Sequence, residues 1–133
     1  MFLSMAIGPS RSSCAPPTIA FEGLGDETRK EVSPGETVVL VGEYWTPDCF
    51  DTGPIGACER GPGDEEPMHG IDVDLLQNEI PIERVVEDVT AEPDLTLRVS
   101  FTVPDLAEGA RFRVLVHDRG AEGYPELFLL VRR

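Results

Sequence analysis

Positive charge is scarce in this chain. Its 133 residues include 11 basic and 25 acidic side chains, a formal net charge of −14, and Lys30 is the only lysine. Such a surface repels phosphate backbones, which excludes nucleic acid as an expected partner. It is also held off anionic headgroups unless something covalent anchors it. No run of 18 or more apolar residues occurs, so no transmembrane helix is expected. Histidine is limited to His69 and His117, and tryptophan to Trp45. No Gly-x-Ser-x-Gly and no glycine-rich phosphate loop is present. His117 is followed by Asp118, but neighbours on a strand point to opposite faces, and a triad would also need a placed nucleophile. Paired carboxylates are too numerous to be diagnostic. The expectation is that the protein is not an enzyme.

What is present is punctuation. Proline and glycine recur at intervals and cut the chain into short pieces, most of which alternate apolar and polar with period two. Thr18–Leu24 reads as a first strand. A turn at Pro34-Gly35 leads into a second over Glu36–Tyr44. Gly70–Gln77 alternates cleanly, with Ile71, Val73 and Leu75 on one face and Asp72 and Asp74 on the wet one. A turn at Asn78-Glu79 returns the chain through "IPIERVVEDV". Over Asp94–Pro104, residues Leu95, Leu97, Val99, Phe101 and Val103 share a face. Phe112, Val114 and Val116 face inward in the next strand, and "PELFLLVRR" closes the chain. Asp105–Ala110 has room for one helical turn. About seven short strands with one buried and one wet face predict an all-β sandwich of a single domain over 18–133, behind an N-terminal tail over 1–17.

"VSPGETVVLVGEYW" resembles the opening hairpin of bacterial immunoglobulin-like domains of the IPT/TIG type, in which a Pro-Gly turn precedes a strand ending in Gly-x-x-aromatic. "VSFTVPDLAEGARFRVLV" is similar to a later strand-turn-strand of the same domains. The resemblance covers Ile19 to Val131. It implies an immunoglobulin-like β-sandwich of the kind carried by actinobacterial cell-surface proteins and lipoproteins, and it implies no reaction.

The stretch "YWTPDCFDTGPIGACERGPGDEEP", Tyr44 to Pro67, has no strand or helix pattern and holds Cys49 and Cys58. Long structureless loops in compact domains are either functional or disordered. A disulfide between the two cysteines holds such a loop, stabilising by about 2.7 kcal/mol in the chain-entropy model. Gly53, Pro54 and Gly56 supply the turn between them. The eight intervening residues do not match a Cys-x-x-Cys redox motif, and a zinc site lacks ligands, since His69 is the only histidine nearby. A thiol/disulfide redox protein using Cys49 and Cys58 is the alternative reading of the pair.

The same loop carries clustered carboxylates. Asp64, Glu65 and Glu66 are the candidate ligands of a divalent cation, for which calcium is the natural choice, although the spacing matches no EF-hand. Against this stands a solvated acidic loop that takes no cofactor. Trp45 and Phe50, with Asp48 and Asp51 beside them, are the binding candidates, because ring faces stack on sugars and acids accept hydroxyls. The competing reading has Trp45 capping the core. "MFLSMAIG" followed by "PSRSSCAPP" reads as the tail of a secretory signal without its basic region, or as a plain disordered tail. In the first case Cys14 is the candidate for lipidation, though Arg11, Ser12 and Ser13 depart from a lipobox. The resulting expectation is a non-catalytic extracytoplasmic domain, secreted or lipid-anchored, that binds a protein or cell-wall glycan or serves as a spacer.

Overall fold

The computed structural model describes residues 16–47, 66–118 and 120–132. Among the described residues there are eight strands and no helix. In chain order they are β1 (Ala20–Phe21), β2 (Arg29–Val32), β3 (Thr37–Gly42), β4 (Ile71–Gln77), β5 (Ile80–Val89), β6 (Leu97–Thr102), β7 (Arg111–His117) and β8 (Leu127–Val131). They form a three-stranded sheet in the order β1-β3-β6 and a five-stranded sheet in the order β2-β8-β7-β4-β5. The fold is therefore all-β, with two sheets enclosing one core in the manner of a sandwich.

Period-two alternation produces that core. Val38 and Leu40 of β3 and Leu97, Val99 and Phe101 of β6 point inward from the smaller sheet. Ile71, Val73 and Leu75 of β4, Phe112, Val114 and Val116 of β7, and Leu127, Leu129 and Val131 of β8 meet them from the larger one. At roughly 1.5–3 kcal/mol for each fully buried apolar side chain, this layer holds the two sheets together.

Two expected turns have the backbone their residues favour. Glu36 N donates to Ser33 O at 3.0 Å with Gly35 at a φ of 87°, as in a type II turn with proline first and glycine second. Asn78 and Glu79 lie at φ values of 53° and 63°, as in the type I′ turn that suits a two-residue hairpin.

Several expectations are corrected. β2 is an additional strand: it pairs in parallel with β8, and only Val32 of its four residues is buried, so it carries no alternating signal. The first strand shrinks to Ala20–Phe21 because the chain turns at Glu22-Gly23. Leu95 does not continue the inward face of β6. It sits at a φ of 70°, its N–H donates to Glu92 O and its carbonyl accepts from Trp45 N. Residues 105–110 form turns, closed by Ala110 N donating to Ala107 O at 3.3 Å, in place of a helical turn.

The long connection between β3 and β4 is anchored at both ends. Trp45 is fully buried and its Nε1 donates to Thr18 O at 2.8 Å. Met68 N donates to Trp45 O, and Ala91 N donates to Met68 O, both at 2.9 Å. Gly42 lets Thr18 and Trp45 approach: a Cβ there would collide with Thr18 O and lie 2.6 Å from Trp45 Nε1.

Candidate functional site

The outer face of the five-stranded sheet concentrates the polar chemistry of the described residues. β4 turns Ile71, Val73 and Leu75 into the core, so Asp72, Asp74 and Leu76 project outward. The antiparallel register sets Asp74 directly opposite Arg84 of β5, and Asp72 opposite His117 of β7. On the β7 side Asp74 stands opposite the half-buried Leu115, and His117, two residues further along, reaches it diagonally.

Asp74 is 6% exposed. Arg84 grips its carboxylate bidentately, Nε donating to Oδ1 at 2.9 Å and Nη2 to Oδ2 at 3.2 Å. His117 Nε2 lies 2.8 Å from Oδ2. The other ring nitrogen, Nδ1, faces the Asp118 carbonyl at 3.3 Å. Both ring nitrogens thus face oxygen atoms, which fixes the plane of the ring. Arg84 also lies 3.5 Å from Asp72, whose Oδ1 accepts from Asp88 N at 2.9 Å. The Arg84 hydrogen bonds hold the Asp74 carboxyl below its ordinary range, burial works against them, and the His117 hydrogen bond adds to the lowering. Arg84 is raised in turn by Asp74.

This cluster borders a depression of about 470 Å³ lined by Gly70, Asp72, Arg84, Glu87, Asp88, His117 and Asp118. None of these residues is a hydroxyl or thiol nucleophile, and His117 is committed to Asp74. The arrangement ties β4, β5 and β7 together and leaves ordered charge at the surface.

Across the same face lies a groove of about 490 Å³ lined by Arg29, Lys30, Glu31, Arg111, Phe128, Leu129 and Leu130. β8 buries Leu127, Leu129 and Val131, so Phe128 and Leu130 face out. The Arg111 guanidinium carbon stands 5.2 Å from the Phe128 ring centroid, a cation–π contact. Between cluster and groove, Arg113 lies in a cage of carboxylates: Glu79 at 2.9 Å, Glu122 at 3.3 Å and Glu126 at 3.3 Å. The Glu126 approach to Nε lacks hydrogen-bond geometry, so that buried N–H is satisfied electrostatically only.

The residues singled out by sequence fall mostly elsewhere. Cys14, Asp48, Cys49, Phe50, Asp51, Cys58, Asp64 and Glu65 lie outside the described residues. Glu66 is exposed. Trp45 leaves no ring face to solvent, so its role as a stacking platform gives way to its core role. Its neighbour Tyr44 is 47% exposed. Among the described residues no group of three or more His, Cys, Asp or Glu side chains is arranged to hold a metal ion. Asp74, expected on a wet face, does project outward but is covered and doubly paired. Sequence reasoning missed this cluster because Asp74 and His117 stand 43 residues apart and only the strand register brings them together. Arg111 and Phe128 were missed for the same reason, although each stood at an outward position of a recognised strand.

No family model matches the chain, and no curated protein matches it significantly.

Proposed function

We propose that the chain is an immunoglobulin-like, non-catalytic binding module that works outside the cytoplasm, and that the outer face of its five-stranded sheet is the contact surface. The strand order supports the first part. In immunoglobulin terms β1, β3 and β6 take the places of strands A, B and E, and β7, β4 and β5 those of F, C and C′, with β8 as G and β2 beside it. In this reading Cys49 and Cys58 clamp the β3–β4 loop, whose base is already drawn together at Trp45 and Met68. The acidic surface and the signal-like start support a secreted or lipid-anchored location.

The observation that carries the contact surface is the content of that face. It brings together the Asp74–Arg84–His117 cluster, the Arg113 cage and the Arg111–Phe128 stack on four adjacent strands. Fixed polar groups around half-buried apolar side chains are the composition of a recognition surface. The test compares Leu130→Glu, on this face, with Ser100→Glu, on the outer side of β6, for retention on cell-envelope material of the source organism. Trp45 emission reports folding of both. The first variant is expected to lose retention and the second to keep it. Equal behaviour of the two folded variants contradicts the assignment of the surface.

A further inference from the structure

The groove over Phe128 allows its ligand to be named by chemistry, a step that rests on the outer sheet face being the contact surface. Carboxylates are abundant in this chain, and most described arginines have found one. Arg84 pairs with Asp74, Arg98 with Glu22, Arg113 with three glutamates and Arg132 with Glu31. Arg29 and Arg111 have no such partner among the described residues, and both line this groove. Arg111 is held over Phe128, so its guanidinium is oriented before any ligand arrives. Lys30, opposite the buried Leu129, turns its side chain to the other face of the sheet, 3.8 Å from Glu36, which leaves Arg29 and Arg111 as the cations of the groove. Glu31 is the acidic lining residue, and Arg132 lies 3.6 Å from it.

The groove is bounded by a strand edge: among the described residues β2 ends the sheet order, with β8 as its one neighbour. Thr28 O accepts from Phe128 N at 2.8 Å and Val32 O from Arg132 N at 2.7 Å. By the alternation of a parallel ladder, Lys30 also turns its backbone groups toward β8, and Arg29 and Glu31 turn theirs outward. Unpaired backbone groups on an edge are a template for an added strand, and pockets for alternate side chains give such additions their specificity.

We propose that an extended acidic segment of a partner protein adds to the β2 edge, setting its carboxylates against Arg29 and Arg111 and an apolar side chain over Phe128 and Leu130. The chain's net charge does not forbid this. At physiological ionic strength distant charges are screened beyond about 8 Å, whereas contact pairs are not. A second copy of the chain is the weaker occupant, because it brings the same net charge to the encounter.

The test is a titration of the isotope-labelled full chain with a capped peptide of alternating Glu and Val, followed by amide chemical shifts. Shifts are expected at Arg29, Lys30, Glu31 and Phe128. Arg111→Glu and Arg29→Glu, each with the dispersed spectrum of a folded domain, are expected to weaken binding by about tenfold or more. The proposal is overturned by silence at millimolar peptide, by equal binding of an alternating Lys-Val peptide, or by unchanged affinity of the folded variants. It is also overturned if inorganic phosphate shifts the same amides and competes fully with the peptide, which would make the groove a simple anion site, or if the chain alone self-associates through β2. Retention on envelope material that depends on Leu130, together with peptide silence, removes this inference and leaves the proposed contact surface standing.

Discussion

At the scale of single residues, tightly packed and doubly paired positions carry the account. Gly42 lies against Thr18 O and Trp45 Nε1, with no room for a methyl group. Gly42→Ala is expected to lower unfolding stability by about 1–3 kcal/mol in urea titration, as overpacking does. Trp45→Phe keeps an aromatic ring, smaller than the indole, but strands the Thr18 carbonyl, for an expected loss of about 1–3 kcal/mol. The same burial predicts blue-shifted Trp45 emission that moves red only on unfolding. Asp74 sets part of the acid response. Its folded carboxyl is held below the unfolded value of about 3.9, chiefly by Arg84. Its contribution is therefore fully present above that value and is lost as pH falls through the lower, folded one. Arg84 is half exposed, which limits the effect to about 1–2 kcal/mol. Asp74→Asn is expected to cost that much at neutral pH and to flatten the decline of stability on acidification below about pH 5. An unchanged acid limb would place the Asp74 network outside the energetics of folding.

At the scale of elements, legibility in the sequence follows burial. β3, β4, β6, β7 and β8 each bury one face, so their alternation was visible, and the Pro34-Gly35 and Asn78-Glu79 turns were visible through their backbone preferences. β2 was invisible because Arg29, Lys30 and Glu31 are polar and its place depends on parallel pairing with β8, nearly a hundred residues later. The Asp74–His117 contact was invisible for a related reason: it is a product of register, and register is a property of pairs of strands. β5 shows how an edge is protected. Ile80 is 63% and Ile82 41% exposed, yet Pro81 removes a donor between them, and Glu83, Glu87 and Asp88 add charge. Replacing Pro81 and Glu83 together by valine is expected to raise light scattering of the concentrated protein on warming, while the single surface change Glu87→Gln leaves it near the wild-type level.

At the scale of the whole molecule, charge and topology divide the work. The net charge of −14 favours solubility and sets the partners the surface rejects at a distance. Two sheets of unequal size leave one broad outer face, and that face holds the ordered charges and the Arg111–Phe128 stack and runs out to β2, the last strand of the sheet among the described residues. The binding residues expected from sequence clustered instead at the β3–β4 loop, because aromatic and acidic residues crowd there and no local pattern advertises a sheet face. The most direct measurement is a hydroxyl-radical footprint of the full chain, free and bound to envelope material. The account predicts protection of Phe128, Leu130, Leu115 and Arg111 with Tyr44 unchanged. Protection confined to Tyr44 and the outer side of β1, β3 and β6, with those four residues fully reactive, would contradict it.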